Sequence, residues 1–243
     1  MRLLVVSDIH GNIEALRAVA AAEPGVDHVI CLGDIVDYGP HPDATVAWVR
    51  EHALTTVRGN HDNAVGFGVD CRSAPLFQRL SVESRKKTVP MMAEDALAFL
   101  RGLPTRRSLA VGGRRLELLH AAPRDPLFQY LPATSVSEWK EAAAGIDADL
   151  ILVGHTHLPV VVHLDRKRMV NPGSVGLPRD GDPRASYAII EDGEPLLKRV
   201  AYDVERTIAD LRAWGLPDDV TRSLESLFRG GEPLSPFPAT ISP

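Results

Sequence analysis

Cysteine is nearly absent. The 243 residues hold only Cys31 and Cys71, too few for a disulfide framework, and Cys31 lies in the apolar run Val-Ile-Cys-Leu-Gly, where a buried thiol is the ordinary outcome. Such scarcity suits a reducing compartment. Long apolar runs are missing as well, and nothing approaches the roughly 18 residues of a membrane span. The opening Met-Arg-Leu-Leu-Val-Val-Ser-Asp-Ile-His-Gly has too short an apolar stretch for a secretion signal, so the expected location is the cytoplasm, with no membrane partner. Lysine is sparse, 5 against 22 arginines, and acidic side chains outnumber basic ones by 32 to 27 for a net charge of −5. That balance disfavours a protein that coats nucleic acid. Apolar residues at 44% and charged residues at 24% exclude a disordered chain and a fibrous repeat.

What is present is an alternation of short apolar runs and amphipathic stretches. Residues 2–7, 26–33 and 54–59 read as strands. Between them, Asn12 caps a helix over 13–22, and Pro40 and Pro42 open a second, Thr-Val-Ala-Trp-Val-Arg-Glu-His. This order predicts a largely parallel sheet. Residues 63–105 are less regular, with one helix, Ala-Glu-Asp-Ala-Leu-Ala-Phe-Leu-Arg-Gly-Leu, and a polar stretch, Glu-Ser-Arg-Lys-Lys-Thr. Hairpins are expected around Gly112-Gly113, within 159–173, and at Asp192-Gly193. A further strand spans 148–154, a helix lies near 137–145, and two helices close the chain, one capped by Asp203. One α/β domain over 1–229 is expected, with two sheets covered by helices. The tail 230–243, with four prolines, reads as an extended or disordered arm.

Polar residues gather where the strands end. Asp8-Ile9-His10 follows the first, Gly33-Asp34-Ile35-Val36-Asp37 the second and Gly59-Asn60-His61-Asp62 the third. His120 ends a later strand, and Gly154-His155-Thr156-His157 ends another. Ligands of open α/β sheets bind outside the carboxyl ends of strands. Each segment alone is weak, since an isolated Asp-x-His or Gly-Asp is usually a cap or turn. All five in order, each directly after an apolar strand, point to a metal site. His28, His41, His52 and His163 fall outside the pattern and read as surface or packing residues.

These motifs resemble the calcineurin-like metallophosphoesterases, in particular their small bacterial phosphodiesterase-like branch. The likeness runs through Asn-Pro-Gly-Ser-Val-Gly-Leu-Pro-Arg to about residue 202. One departure is Ala121-Ala122-Pro123, where Gly-Ser-Pro is common in the family, so a Ser hydroxyl contact there is lost. The resemblance implies a four-layer α-β-β-α sandwich of two mixed sheets flanked by helices. It implies that Asp8, His10 and His157 hold one divalent metal ion, that Asn60, His120 and His155 hold the other, and that Asp34 bridges them. Oxygen and imidazole donors without thiolates suit Mn²⁺ first, with Fe or Zn²⁺ as alternatives. The implied reaction is hydrolysis of a phosphodiester or phosphoanhydride, of cyclic-nucleotide or dinucleoside-polyphosphate type, by in-line attack of a metal-bridging hydroxide.

His61, beside Asn60 but unassigned to a metal, is the candidate general acid or transition-state donor, with Asp62 orienting its ring. Arg58 is a candidate phosphate support, with a surface arginine at a strand end as an equal alternative. Asp37 is a candidate for supporting a ligand. Gly173 and Ser174 suggest a tight turn near the site. Tyr38, Phe67, Phe128 and Tyr130 offer rings for a nucleobase, though core or hairpin packing is commoner. The expected partner is a small phosphoester of nucleotide type, with self-association expected through the C-terminal arm. Two rival readings are a non-catalytic protein-interaction scaffold on the same fold, against which His61 and the full ligand set count, and a nuclease, against which the net charge counts.

Overall fold

Four consecutive buried apolar side chains, Leu3 to Val6, cannot belong to a strand with one wet face, because successive side chains point to opposite sides. The computed structural model describes residues 1–232, and it covers this strand on both faces. The first half runs β1 (Arg2–Val6), α1 (Ile13–Ala22), β2 (His28–Cys31), α2 (Pro42–His52), β3 (Ala53–Thr56), α3 (Asn60–Phe67), α4 (Pro75–Met91) and α5 (Glu94–Gly102). The second half runs β4 (Arg106–Val111), β5 (Arg114–Leu119), α6 (Val136–Ala143), β6 (Leu150–Leu152), β7 (Val160–Leu164), β8 (Lys167–Asn171), β9 (Ala185–Glu191), β10 (Glu194–Val200), α7 (Val204–Ala213) and α8 (Asp218–Phe228).

The strands form two five-stranded mixed sheets, ordered β10-β9-β1-β2-β3 and β4-β5-β6-β8-β7. In the first, β1, β2 and β3 are parallel and β9 runs against β1. In the second, β5, β6 and β8 are parallel and the edge strands β4 and β7 are antiparallel. The sheets pack face to face: Leu3, Val5, Ile30 and Leu32 meet Leu116, Leu118, Leu150 and Leu152 in one apolar cluster. The alternate residues Leu4, Val6, Val29 and Cys31 pack under α1, α2 and α5. On the far side, Ile151, Val153 and Met169 pack under Trp139 and Ala143 of α6. This is the expected α-β-β-α order. Asn12 caps α1 by accepting from the Ala15 amide at 3.1 Å, and Asp203 caps α7 through the Arg206 amide at 2.9 Å.

The region 63–105 differs from expectation. It is three helices, and Glu-Ser-Arg-Lys-Lys-Thr lies inside the seventeen-residue α4. The buried face of α4 is Leu80, Ser81, Ser84 and Thr88, so helical spacing exists but three of four members are hydroxyl residues. An apolar periodicity test does not see such a stripe. With α7 and α8, α4 builds a further cluster in which Leu80 packs with Ile208, Leu211, Leu224 and Phe228. The proposed arm at 230–243 falls almost wholly outside the described residues. Among those described, no helix is long and apolar enough to cross a membrane.

Candidate metal centre

Parallel strands deliver their C-terminal loops to one edge of the sandwich. Asp8 and His10 follow β1, Asp34 follows β2, Asn60 follows β3, His120 follows β5, and His155 and His157 follow β6. The loops are tied to one another. The Asp8 amide donates to Gly33 O at 3.0 Å, the His10 amide to Asp34 O at 2.9 Å and the Gly154 amide to His120 O at 2.7 Å. Glycine is required at two close approaches. A Cβ on Gly59 would lie 2.0 Å from Asp34 Oδ1, and one on Gly154 would lie 1.9 Å from Ser7 Oγ.

Backbone strain collects here. Asp8, His10, Asp34, Asp37, Tyr38, His155 and His157 all have left-handed φ, between 48° and 71°. Each costs on the order of 1 kcal/mol, and such residues persist where surrounding structure forces them, often at functional sites.

The side chains form two groups. Asp8, His10 and His157 offer ligand atoms within 4.8 Å of one another, and so do Asp34, His120 and His155. In the first group, His10 Nδ1 lies 3.1 Å from Val36 O and His157 Nδ1 lies 2.6 Å from Leu177 O. A carbonyl only accepts, so both Nδ1 atoms carry the proton and both Nε2 atoms present lone pairs. Those Nε2 atoms face each other at 3.2 Å. Asp8 Oδ1 lies 3.3 Å from His157 Nε2 and has no hydrogen-bond partner among the described residues. Three buried acceptors thus converge with no donor, an arrangement that a cation satisfies and a neutral core does not.

The second group gathers around an inward-turned amide oxygen. Asn60 Nδ2 donates to Cys71 O at 2.7 Å, which turns its Oδ1 inward, 3.0 Å from His120 Nε2 and 3.2 Å from His155 Nδ1. His120 Nδ1 donates to Leu32 O at 2.9 Å. Asp34 stands between the groups: its Oδ2 lies 3.2 Å from His120 Nε2 and 3.8 Å from His10 Nε2. Its Oδ1 accepts from the His61 amide at 2.8 Å. The seven residues expected as metal ligands are therefore brought together, with Asp34 placed to face both groups. The donor set of carboxylate, amide oxygen and imidazole fits a hard or borderline divalent ion.

Electrostatics follow from burial and mutual charge. Burial raises the Asp8 carboxyl to about 6, and the charge of Asp34 adds to the rise. Burial also acts on Asp34, but the positive charges of His120 and His61 and the hydrogen bond from His120 outweigh it and hold this carboxyl well below the ordinary range. Burial first, then the charge of Arg179, hold His157 well below the usual imidazole value. Burial and His120 bring His155 to about 3. His155 and His157 are thus neutral, the form that coordinates metal. Burial works against charge on His120, yet Asp34 overcomes it and raises His120 to about 9.

The residues around the ligands differ in part from expectation. His61 Nδ1 lies 2.9 Å from Asp37 Oδ2. That same oxygen accepts from Arg85 Nη2 at 2.8 Å and Nε at 3.1 Å. Asp37, not Asp62, therefore orients the His61 ring. Asp62 instead accepts from the amides of Asp34 at 2.8 Å, Ile35 at 2.8 Å and Gly59 at 3.0 Å, fastening the loop after β2 to the start of α3. Replacing Asp62 with alanine leaves three buried amides unpaired, with an expected loss of about 3–5 kcal/mol in folding stability; urea unfolding measures it.

Arg58 is likewise turned away. Its Nη1 donates to Arg101 O at 2.9 Å and its guanidinium sits 4.9 Å from the centre of the Phe67 ring, so it braces α3 against α5. Tyr38 is fully buried, edge-on to His10 at 4.9 Å, and offers no face to a nucleobase. Phe128 and Tyr130 do line the cleft in front of the ligands. Gly173 and Ser174 form the expected turn. Asn171 Oδ1 accepts from the Gly173 amide at 2.9 Å, and Ser174 Oγ donates to Asp8 O at 2.7 Å. The cleft has a volume of about 230 Å³ and opens on Asn60, His61, His155 and His157. Two arginines absent from the sequence expectations, Arg72 and Arg179, also line it.

The calcineurin-like phosphoesterase superfamily domain matches residues 1–193. The chain belongs to that superfamily. It is a hydrolase of phosphoesters. A metallophosphoesterase from Sphaerobacter thermophilus is similar in structure, with a TM-score of 0.79 and 34% identity over 92% of this chain and 98% of that one. An uncharacterized Methanocaldococcus jannaschii protein, MJ0912, is 33% identical over 89% of this chain and 94% of its own length. The Escherichia coli phosphodiesterase YfcE is 27% identical over 87% of this chain and 97% of its own.

Proposed function

We propose that this phosphoesterase hydrolyses a phosphodiester or phosphoanhydride of a nucleotide with the help of two divalent cations, manganese first and iron or zinc as alternatives. The observation that carries the reading is the pair of converging acceptor groups, joined at Asp34 and opening with His61 onto one cleft. A bound pair of cations supplies Lewis-acid charge for phosphoryl oxygens and brings the pKa of water toward neutrality.

The chain's own residues do the rest. Carbonyl oxygens of Val36, Leu32 and Leu177 fix the tautomers of His10, His120 and His157 and aim their Nε2 atoms. Asp37 holds His61 through Nδ1, and Nε2 is the atom that would donate a proton to the departing oxygen. Burial opposes charge on His61, but Tyr38, Asp34 and the Asp37 hydrogen bond raise it well above the ordinary imidazole range. That pull toward the charged form suits a general acid. Both cysteines are buried and unpaired, which suits a reducing, cytoplasmic setting.

The test strips the protein with a chelator and restores Mn²⁺, Fe²⁺ or Zn²⁺ one at a time. Cyclic AMP, diadenosine tetraphosphate and bis-p-nitrophenyl phosphate are the substrates. Hydrolysis is expected to vanish on stripping and to return with at least one metal. No hydrolysis of any of the three with any metal would rule the reading out.

A further inference from the structure

Arginines in this fold commonly end on carboxylates: Arg85 on Asp37, Arg212 on Glu225, Arg184 on Asp182. Arg72 and Arg179, which both line the cleft, have no carboxylate partner among the described residues. Each instead lies over an aromatic ring, Arg72 at 4.3 Å from the centre of Phe128 and Arg179 at 3.9 Å from the centre of Phe77. Stacking occupies the face of a guanidinium and leaves its edge, where the N–H donors are. Arg179 Nε is buried with no hydrogen-bond partner among the described residues. Two held, charge-unpaired forks therefore share a cavity with the metal ligands.

We propose that Arg72 and Arg179 form a subsite for a second phosphate, so that the substrate is a phosphoanhydride chain, such as a nucleoside polyphosphate, rather than a single-phosphate diester. This rests on the hydrolytic reading above. Two cations already neutralise the scissile phosphoryl group. Two further positive charges beside them would repel both the cations and each other unless the substrate brings more anion. A cyclic nucleotide brings one negative charge, whereas a polyphosphate brings about one more with every added phosphate, in the planar geometry that guanidinium forks bind.

The space agrees. A second cavity of about 290 Å³ adjoins the first, and Phe77, Tyr130 and Arg179 line both. Arg179 thus sits where a chain leaving the metals would pass, and among the described residues the second cavity leaves room for the remainder of the molecule. In the reaction, a water oxygen bonds to the scissile phosphorus and the bond from that phosphorus to the bridging oxygen breaks. The bridging oxygen leaves on the neighbouring phosphate with the electron pair and takes the proton held by His61, and water's proton passes to solvent, from which His61 is reprotonated. The arginines hold that neighbouring phosphate as its charge grows.

The test uses the full chain loaded with Mn²⁺. Calorimetry measures binding of a methylene-bridged diadenosine tetraphosphate and of AMP to wild type, Arg72→Gln and Arg179→Gln. Each variant is expected to weaken tetraphosphate binding about 10–100-fold and AMP binding at least fivefold less than that. Equal weakening for both ligands, or none for the tetraphosphate, overturns the subsite. Hydrolysis is read separately: wild type that cleaves the nitrophenyl diester while the variants fail to discriminate keeps the proposed function and loses the subsite. Discriminating binding by a wild type that cleaves nothing keeps the subsite and loses the function.

Discussion

His61→Ala is expected to retain two metals per chain and to lose about 10²–10⁴-fold in kcat on a diester with an alkyl leaving group, the range for a positioned acid. On a nitrophenyl leaving group, which departs without a proton, the loss is expected to be far smaller. The contrast follows from geometry. The side chain of His61 touches Asp37, whereas its amide is what binds Asp34 Oδ1. Alanine removes the ring and keeps the amide, so the Asp34 carboxylate stays anchored. Asp37→Asn is expected to reproduce part of the loss, because it weakens the hold on Nδ1 without touching a metal ligand. Turnover of the alkyl diester near the wild-type rate would take His61 out of the reaction.

Asp34→Ala is expected to be more damaging, and in a different way. Asp34 Oδ2 faces both candidate ligand groups, and in the proposed reading its carboxylate would reduce repulsion between two neighbouring cations. Without it, metal content is expected to fall from two per chain to below one, and hydrolysis by on the order of 10³-fold or more, at least the cost of removing a major electrostatic contact at a reaction centre. Elemental analysis and steady-state kinetics on the same sample separate the two effects. A variant that keeps two metals would show that Asp34 does not join them.

The convergence of the candidate ligands is legible because each follows an apolar strand, and parallel strands carry their C-terminal ends to a common edge. Sequence adjacency was the poorer guide. Asp62 looked like the partner of its neighbour His61. It occupies the third position of α3, where an acidic side chain folds back onto the backbone at the helix start. That capping pattern, an acid three residues after Gly59, was available in the sequence and marks Asp62 as structural. The true partner, Asp37, is 24 residues away, and Arg85 behind it sits on α4, the helix hidden by its hydroxyl-lined buried face. Arg179 lies in the stretch beginning Asn-Pro-Gly-Ser, where nothing local separates a cleft arginine from a surface one. Arg58 illustrates the reverse. Standing directly before Gly59, it pointed to phosphate in the sequence, but it leans instead on Arg101 O, a contact that only tertiary packing determines.

The most direct measurement is anomalous diffraction from crystals grown with manganese. The account predicts two peaks per chain, one among Asp8, His10 and His157 and the other among Asn60, His120 and His155, both in reach of Asp34. A blank map at these residues, or a single peak remote from Asp34, would contradict it.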